Sequence, residues 1–210
     1  MSVSWKPVAN DGTARTGVLR TPHGDIATPA FMPVGTRGTV KTIDTEDLER
    51  VGADMVLANT YHLMLRPGSA TVAALGELHG FMAWNGPILT DSGGYQVFSL
   101  EPEVGEEAVT FRSTYDGSRV ELTPERAVAI QEELGADVAM ILDVLIGLPA
   151  TREDTVAAME RTLRWAKRAL AAKTRDDRAL WGIVQGGSDP DLRARSAAAT
   201  ADLGFPGFGI

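Results

Sequence analysis

Three polar residues directly follow runs of apolar residues. In parallel sheets, side chains that take part in catalysis or binding are commonly found at this position. The residues and the runs before them are Asp91 after 87–90, Asp143 after 138–142 and Gln185 after 180–184. Asp91 precedes Ser92, Gly93 and Gly94, and adjacent glycines allow a sharp turn and the close approach of a ligand. A carboxylate there can transfer a proton or act as a nucleophile. The alternative is that Asp91 only caps the following turn through its side chain.

Asp143 and Gln185 offer a chemical match to one ligand class. A carboxylate that leaves so apolar a run carries a desolvation cost unless donors surround it. Guanine supplies donors, because its N1–H and exocyclic amine both bond a carboxylate, while its O6 accepts from an amide such as that of Gln185. Helix capping by Asp143 and a structural role for Gln185 stay open as alternatives. Tyr95 is a candidate stacking platform for a base or packs at the core edge, and His62 is interpreted as a hydrogen-bonded structural histidine.

The rest of the chain alternates between apolar runs and amphipathic stretches, which predicts repeated strand–helix units. The predicted strands are 30–34, 55–58, 87–90, 138–142, 180–184 and 208–210. The predicted helices are 45–50, 70–75, 124–134, 152–172 and 190–203. The helix at 152–172 has its apolar positions at Val156, Met159, Leu163, Ala166 and Leu170. Two hairpins are predicted as well, one around Pro22-His23-Gly24 and one inserted around Asp116-Gly117-Ser118.

The polar residues at the strand ends decide between two parallel architectures. Asn59 joins the three residues above, so polar groups follow four different strands, as in enzymes built on a barrel. A doubly wound sheet usually carries a glycine-rich phosphate loop, and the chain has neither G-x-G-x-x-G nor G-x-x-x-x-G-K. We expect an α/β fold, an incomplete (β/α)8 TIM-type barrel with about six of its eight strands. Residues 1–210 would then form a single truncated domain with exposed sheet edges.

The composition limits the classes of function. A net charge of −8 and a pI near 4.9 argue against a protein that coats nucleic acid, so any RNA contact must be local. The best basic run, on the helix at 152–172, is interpreted as a solvated face and consists of Arg161, Arg164, Lys167 and Arg168. No run approaches the roughly 20 apolar residues of a membrane span. We therefore expect no membrane association and a cytoplasmic location.

Metal and disulfide chemistry find little support in the sequence. The chain has no cysteine, which excludes disulfides and thiolate metal sites within these residues. His23, His62 and His79 are spaced too widely to suggest a local metal cluster. No metal site and no cofactor are therefore predicted in this chain.

Several segments resemble those of the tRNA-guanine transglycosylases, the queuine tRNA-ribosyltransferase family. The main ones are 34–36, 59–68, 87–100 and 182–186, and the likeness runs from the first hairpin to Ile210. The resemblance implies a TIM-barrel glycosyltransferase, a pentosyltransferase, that exchanges the wobble guanine of tRNA for a 7-deazaguanine base, preQ1 or queuine, in queuosine biosynthesis. It further implies a homodimer in the complete enzyme.

The same resemblance assigns roles to the candidate residues. Asp91 would be the general acid/base, Tyr95 the stacking platform, and Asp143 and Gln185 the base readers, together with the backbone of 92–94. The nucleophilic aspartate of the family comes from a later strand, and the ligands of its structural zinc lie later still. Both would fall beyond Ile210, so we expect the isolated chain to be inactive.

One departure and two alternatives stand beside this interpretation. After Asp143 the chain has Val144, Leu145 and Ile146, where bacterial relatives commonly carry an acidic residue and a cysteine, so the choice of incoming base is in doubt. A non-catalytic subunit that pairs with a full-length transglycosylase is one alternative. The other is a barrel glycoside hydrolase that uses Asp91 and Asp143 as paired carboxylates.

Overall fold

The computed structural model describes residues 3–210 and is a mixed α/β protein with parallel strands and helices. The residues pack into two compact units. The first contains the residues up to Asp91 with Gln131–Ala139 and Thr174–Ala179, and the second contains Ser92–Ile130, Met140–Lys173 and Leu180–Ile210. Each unit therefore combines segments that are distant in sequence.

The first unit begins with a three-stranded antiparallel sheet. Its strands, hydrogen-bonded in this order, are β1 (Ser4–Asp11), β2 (Ala14–Thr21) and β3 (Gly24–Thr28). β2 and β3 form the predicted hairpin, with Thr21 opposite Gly24. β1 is missing from the sequence prediction because all of its residues are exposed, so it lacks the alternation of apolar and polar residues that marks a half-buried strand.

Parallel strands form the core of the first unit. In spatial order they are β4 (Val34–Gly35), β5 (Val56–Asn59), β6 (Ile88–Asp91) and β10 (Val138–Met140), which pairs with β6 through Val138 and Ala139. The prediction of a buried strand at 30–34 is wrong, because only Val34 of that run is in a strand and Phe31 is 82% exposed. Pro29 and Pro33 flank the exposed part and cannot donate to a sheet.

Short helices connect these strands. They are α1 (Thr45–Arg50), α2 (Thr60–Leu65), α3 (Ser69–Ala74) and α4 (Glu77–Met82). α1 starts at a capping box in which the Asp47 N–H donates to Asp44 Oδ1 at 2.8 Å. α2 and α4 are missing from the sequence prediction, because six residues are too few for helical periodicity to be recognised.

The remaining elements lie wholly or partly in the second unit. They are α5 (Gly94–Phe98), β7 (Glu103–Val104), β8 (Val109–Arg112), β9 (Arg119–Leu122), α6 (Pro124–Leu134), α7 (Arg152–Ala172), β11 (Ala179–Ile183), α8 (Pro190–Ala201) and β12 (Phe208–Gly209). β8 and β9 form the predicted inserted hairpin. β11 and β12 pair in parallel, and the Ile141 N–H, just beyond β10, donates to the Trp181 carbonyl.

Helix α7 has the predicted bounds but buries a different stripe. Of its predicted apolar positions, Met159 and Ala166 are buried, whereas Val156, Leu163 and Leu170 are only half-buried. The buried stripe is rich in small residues and consists of Thr155, Ala158, Met159, Thr162, Trp165, Ala166 and Ala169. Small side chains let a helix backbone approach its neighbours closely, so hydrophobicity alone did not identify the inward face.

Five of the six predicted strands are present at or near their expected positions, and the sixth is replaced by β4 at Val34–Gly35; the strands run parallel wherever the pairs are formed. Within the described range 3–210, the strands do not close into a ring. Over the same range, no helix combines the length and the hydropathy needed to cross a bilayer. The eight-stranded barrel itself stays a prediction.

Candidate active site

Asp91 ends β6, and hydrogen bonds hold both oxygens of its carboxylate. Asn59 Nδ2 donates to Asp91 Oδ2 at 2.6 Å, and the Thr60 N–H donates to Asp91 Oδ1 at 3.0 Å. The parallel register of β5 and β6 places Asn59 directly opposite Asp91. Bonds of this kind to a charged acceptor are stronger than neutral ones, so the carboxylate is oriented before any ligand arrives.

Asn59 also starts the helix that follows it. Its side-chain oxygen accepts the His62 N–H at 3.1 Å and caps α2. Sequence analysis placed Asn59 at a strand end but gave it no role, and it did not identify Thr60. The available signal was an amide residue at the carboxyl end of a strand next to that of Asp91.

The glycine pair after Asp91 belongs to the second unit and makes the predicted turn. Gly93 has a φ of 78°, which favours glycine, and it precedes α5. A Cβ added to Gly94 would lie 2.9 Å from Asp143 Oδ1 and 3.3 Å from Ser92 Oγ. Only glycine therefore lets the Asp143 carboxylate lie this close to the backbone. Tyr95 follows with 70% of its surface exposed.

Asp143 and Gln185 form a direct pair within the second unit. Gln185 Nε2 donates to Asp143 Oδ2 at 2.5 Å, and both residues are half-buried. The Gln185 backbone N–H donates to Ser196 Oγ at 2.9 Å, and the Val144 N–H donates to Thr162 Oγ1 at 2.9 Å. Thr162 on α7 and Ser196 on α8 thus hold the backbone directly after Asp143 and at Gln185, and we call these two residues anchors. Sequence analysis missed both anchors, because nothing in the sequence links them to the pair.

A small cavity adjoins Asp143 on its apolar side. Its volume is about 20 Å³, and its walls include Val97, Leu142, Val144 and Trp165. That volume has room for about one water molecule, far less than a purine needs. A base that met Asp143 would therefore have to lie outside this cavity.

A larger cavity opens beside the turn that follows Gln185. Its volume is about 450 Å³, within the range of about 300–1,000 Å³ that is usual for small-molecule sites. Gly186, Arg152 and Asp189 are among its lining residues, and Arg152 Nε lies 3.1 Å from Asp189 Oδ2. The cavity thus offers space next to Gln185, and the arginine that lines it, Arg152, is already paired with Asp189.

His62 and the basic run lie outside the Asp143–Gln185 pair. Burial lowers the pKa of His62, and the nearby Arg37 charge lowers it further, so the imidazole is neutral at pH 7. The basic run is mostly engaged by acids, because Arg161 and Arg164 contact Glu106 and Arg168 contacts Glu125. These contacts reduce its value as an RNA surface.

The structure thus brings Asp143, Gln185 and Gly94 together in one unit, with Ser92 and Tyr95 on the same turn as Gly94. Asp91 is held by its own contacts in the other unit. That all of them meet one base stays a prediction.

The chain is similar to known proteins over nearly its whole length. The profile of the family described as Queuine tRNA-ribosyltransferase matches residues 11–210. Proteins named queuine tRNA-ribosyltransferase from Herpetosiphon aurantiacus and from a strain of Thermus thermophilus are 56% and 55% identical, each over 96% of this chain and over 52% and 53% of their own lengths. The protein of that name from Pelotomaculum thermopropionicum is 52% identical over 100% of this chain and 58% of its own length. This chain spans about half the length of the curated relatives it matches. It belongs to the queuine tRNA-ribosyltransferase family.

Proposed function

We propose that this chain carries the base-handling part of a tRNA-guanine transglycosylase, built on an eight-stranded barrel. The enzyme would exchange the wobble guanine of tRNA for a 7-deazaguanine base, preQ1 or queuine. The observation that carries the proposal is the Asp143–Gln185 pair, joined at 2.5 Å and braced against Gly94. Family membership agrees with this chemistry and disfavours the glycoside hydrolase alternative.

The pair supports recognition of guanine by its hydrogen-bonding edge. A carboxylate can accept from the N1–H and the exocyclic amine of guanine. The amide nitrogen of Gln185 carries two hydrogens, and the bond to Asp143 uses one of them. The second hydrogen suits the O6 acceptor of the same base. Carboxylate and amide would then read adjacent groups of one purine.

Asp91 is proposed as the general acid/base. It would deliver a proton to the departing guanine and take one from the incoming base. The donors from Asn59 and Thr60 support this role, because they hold the carboxylate in one orientation throughout.

Tyr95 is proposed to stack on the base, and its exposed ring is available for this contact. Stacking of this kind contributes about 1–3 kcal/mol per base in single-stranded recognition. The choice of incoming base is left open, because Val144 and Leu145, which follow Asp143, have apolar side chains that offer a base no hydrogen bonds. Binding measurements with guanine and with preQ1 would compare the two ligands directly.

The test separates base binding from base exchange. Equilibrium dialysis of the 210-residue chain with radiolabelled guanine should show binding, and Asp143→Asn should weaken it by about 100-fold. One acceptor oxygen becomes an NH2 donor that faces a donor of guanine, and the other bond loses its charged acceptor. Asp202→Asn makes the same change at an exposed position of the second unit and serves as the matched control. Equal binding by the Asp143→Asn variant and the unchanged chain would refute the assignment of Asp143.

Exchange is the second part of the test. We expect the 210 residues alone not to incorporate radiolabelled guanine into tRNA, because the resemblance assigns the nucleophile to a later strand. Incorporation by the chain alone would refute that expectation. Co-purification with a full-length transglycosylase would instead favour a partner-subunit role. Guanine binding sensitive to Asp143 would argue further against a glycoside hydrolase. A cytoplasmic location and pairing of two copies belong to the same proposal.

A further inference from the structure

His23, His79 and Asp137 form a compact group within the first unit, here called the histidine–aspartate cluster. His23 lies in the turn between β2 and β3, His79 in α4 and Asp137 directly before β10. The two imidazole rings are stacked, with centroids 3.6 Å apart. His23 Nδ1 lies 2.7 Å from Asp137 Oδ1, and His79 Nε2 lies 3.4 Å from Asp137 Oδ2. Both rings therefore face one carboxylate, although 114 residues separate His23 from Asp137.

His79 is the member whose surroundings are incomplete. Both of its ring nitrogens are buried: Nε2 lies 3.4 Å from Asp137 Oδ2 without the geometry of a hydrogen bond, and Nδ1 has no hydrogen-bond partner within the described range. Buried polar atoms without partners cost free energy, so they point to a group that would satisfy them. The Asp137 side chain is fully buried, whereas 30% of the His23 side chain is exposed. The cluster is therefore open to solvent on the His23 side.

The arginines and acids around the cluster balance one another in charge. Two arginines and two acids lie next to the cluster and pair with one another. They are Arg175, Arg178, Glu77 and Asp177. Arg178 Nη1 lies 3.4 Å from Asp137 Oδ1 and 3.4 Å from His23 Nδ1, so it would have to move when an ion binds; the same guanidinium is shared with two other acids. The two arginine charges and the two acid charges cancel, so Asp137 contributes a net negative charge.

We propose that the histidine–aspartate cluster binds a divalent transition-metal ion of the zinc class. Imidazole nitrogen and carboxylate oxygen are common ligands of such ions, and a fourth position would be open to water. Zinc holds these atoms at about 2.0–2.2 Å, which separates two donors of a tetrahedral site by about 3.3–3.6 Å. The 3.4 Å distance from His79 Nε2 to Asp137 Oδ2 already fits. The 2.7 Å contact of His23 is a hydrogen bond and would lengthen on binding.

An ion at this position would join the first hairpin to α4 and to the start of β10. The chain has no cysteine, so a metal would supply a cross-link that disulfides cannot. The role is structural and does not depend on the proposed base chemistry. It also reverses the sequence-based interpretation that the histidines are spaced too widely for a metal site.

The experiment is a Co²⁺ titration of the untagged 210-residue chain after removal of metals with a chelator. We expect one ion per chain, with a visible absorption band and a thermal midpoint that rises with the Co²⁺ concentration. His23→Asn and His79→Asn should each weaken binding by more than about 100-fold, the upper range for losing only an outer partner of a ligand. His62→Asn removes the histidine outside the cluster and should leave the stoichiometry unchanged.

Two further measurements keep the result unambiguous. His79→Gln keeps a polar side chain of similar size, and circular dichroism verifies that each variant is folded. Mass spectrometry of metal content in chain purified from zinc-supplemented medium provides a readout that needs no titration. Lack of stoichiometric metal, or metal retained equally by the His23 and His79 variants, overturns the proposal and leaves an ordinary hydrogen-bonded group. None of these measurements uses guanine, so failure here is distinct from failure of the proposed function.

Discussion

Asp91 and Asp143 both follow a parallel strand, yet different kinds of contact hold them. Asp91 receives an amide from Asn59 and a backbone N–H from Thr60, which the pairing of β5 with β6 brings opposite it. Asp143 bonds to the side chain of Gln185, 42 residues further along the chain. Its position also depends on the missing Cβ of Gly94.

This difference predicts that substitutions around Asp91 and around Asp143 change different properties of the protein. The contacts of Asp91 are part of the sheet register and of a helix cap, so their loss should mainly lower the free energy of unfolding. The contacts of Asp143 are side-chain contacts at a partly exposed position, so their loss should mainly change ligand binding. Substitutions at Asn59, Gly94 and Ser196 test this separation, and acid titration of an ion pair in the second unit gives a smaller effect for comparison.

Asn59→Ala should have the largest effect on stability. The change removes a donor to the Asp91 carboxylate, worth about 1.5–3 kcal/mol, and the cap of α2, worth about 1 kcal/mol. We expect urea unfolding to show a loss of about 3 kcal/mol, with guanine binding within about twofold of the unchanged chain. Asn10→Ala, at an exposed position of β1, is the control. Unchanged stability with abolished guanine binding would reverse the comparison.

Gly94→Ala should affect both stability and guanine binding. The added methyl would lie 2.9 Å from Asp143 Oδ1, so the carboxylate has to move. Overpacking of this kind costs about 1–3 kcal/mol, and we expect guanine affinity in equilibrium dialysis to fall by about tenfold. In Gly105→Ala the new Cβ meets its nearest atom at 3.4 Å, an ordinary contact, which makes it a matched control. Equal affinities of the two variants would mean that Asp143 can shift freely.

Ser196→Ala should produce a smaller change. It removes the acceptor of the Gln185 backbone N–H, and a single neutral hydrogen bond contributes about 0.5–1.5 kcal/mol. We expect guanine affinity to fall by about threefold and backbone amide exchange near Gln185 to accelerate in hydrogen-exchange mass spectrometry. Ser118→Ala, at an exposed position of the inserted hairpin in the same unit, should change neither quantity. Unaltered exchange near Gln185 in the Ser196 variant would show that this anchor is dispensable.

The smallest expected effect is the loss, at low pH, of the stabilisation that the ion pair between Glu125 on α6 and Arg168 on α7 provides. Hydrogen bonding from Arg168 lowers the pKa of Glu125 from 4.5 to about 2. A lowered folded-state pKa stabilises the fold above about pH 4.5, and this contribution disappears as the pH falls toward 2. The pair is partly exposed and screened, so it is worth less than about 1 kcal/mol.

Glu125→Gln tests this contribution directly. Unfolding measured between pH 5 and about pH 2.5 should show a shallower acid slope in the variant, because one titrating group is gone. Glu153→Gln alters an exposed acid in the first turn of α7 and should keep the slope. An identical slope in the Glu125 variant would mean that the pair with Arg168 does not stabilise the second unit.

Elements with their own local signals were predictable from the sequence. Thr151 and the following acids gave the start of α7, and Asp116-Gly117-Ser118 gave the inserted hairpin. β1 and the short helices α2 and α4 were not predictable, because their residues lack either alternation or length. The strand at 30–34 was wrong because an apolar run was given more weight than the prolines that flank its exposed residues.

The candidate site divides in the same way. Asp143 and Gln185 were identified from their places after apolar runs, and the structure pairs them. Their anchors Thr162 and Ser196, and the stacking of His23 on His79, depend on which helices and turns meet in space. No local sequence pattern encodes these tertiary contacts, so sequence analysis could not identify them.

The intrinsic fluorescence of Trp165 can report on the second unit. Its indole is 1% exposed, it lines the small cavity beside Asp143, and its Nε1–H donates to the Glu106 carbonyl at 2.6 Å. Indole emission depends on local polarity, so a ligand or water entering that cavity should shift its wavelength. With the other tryptophans replaced by phenylalanine, the state of the cavity could be followed in real time without any label.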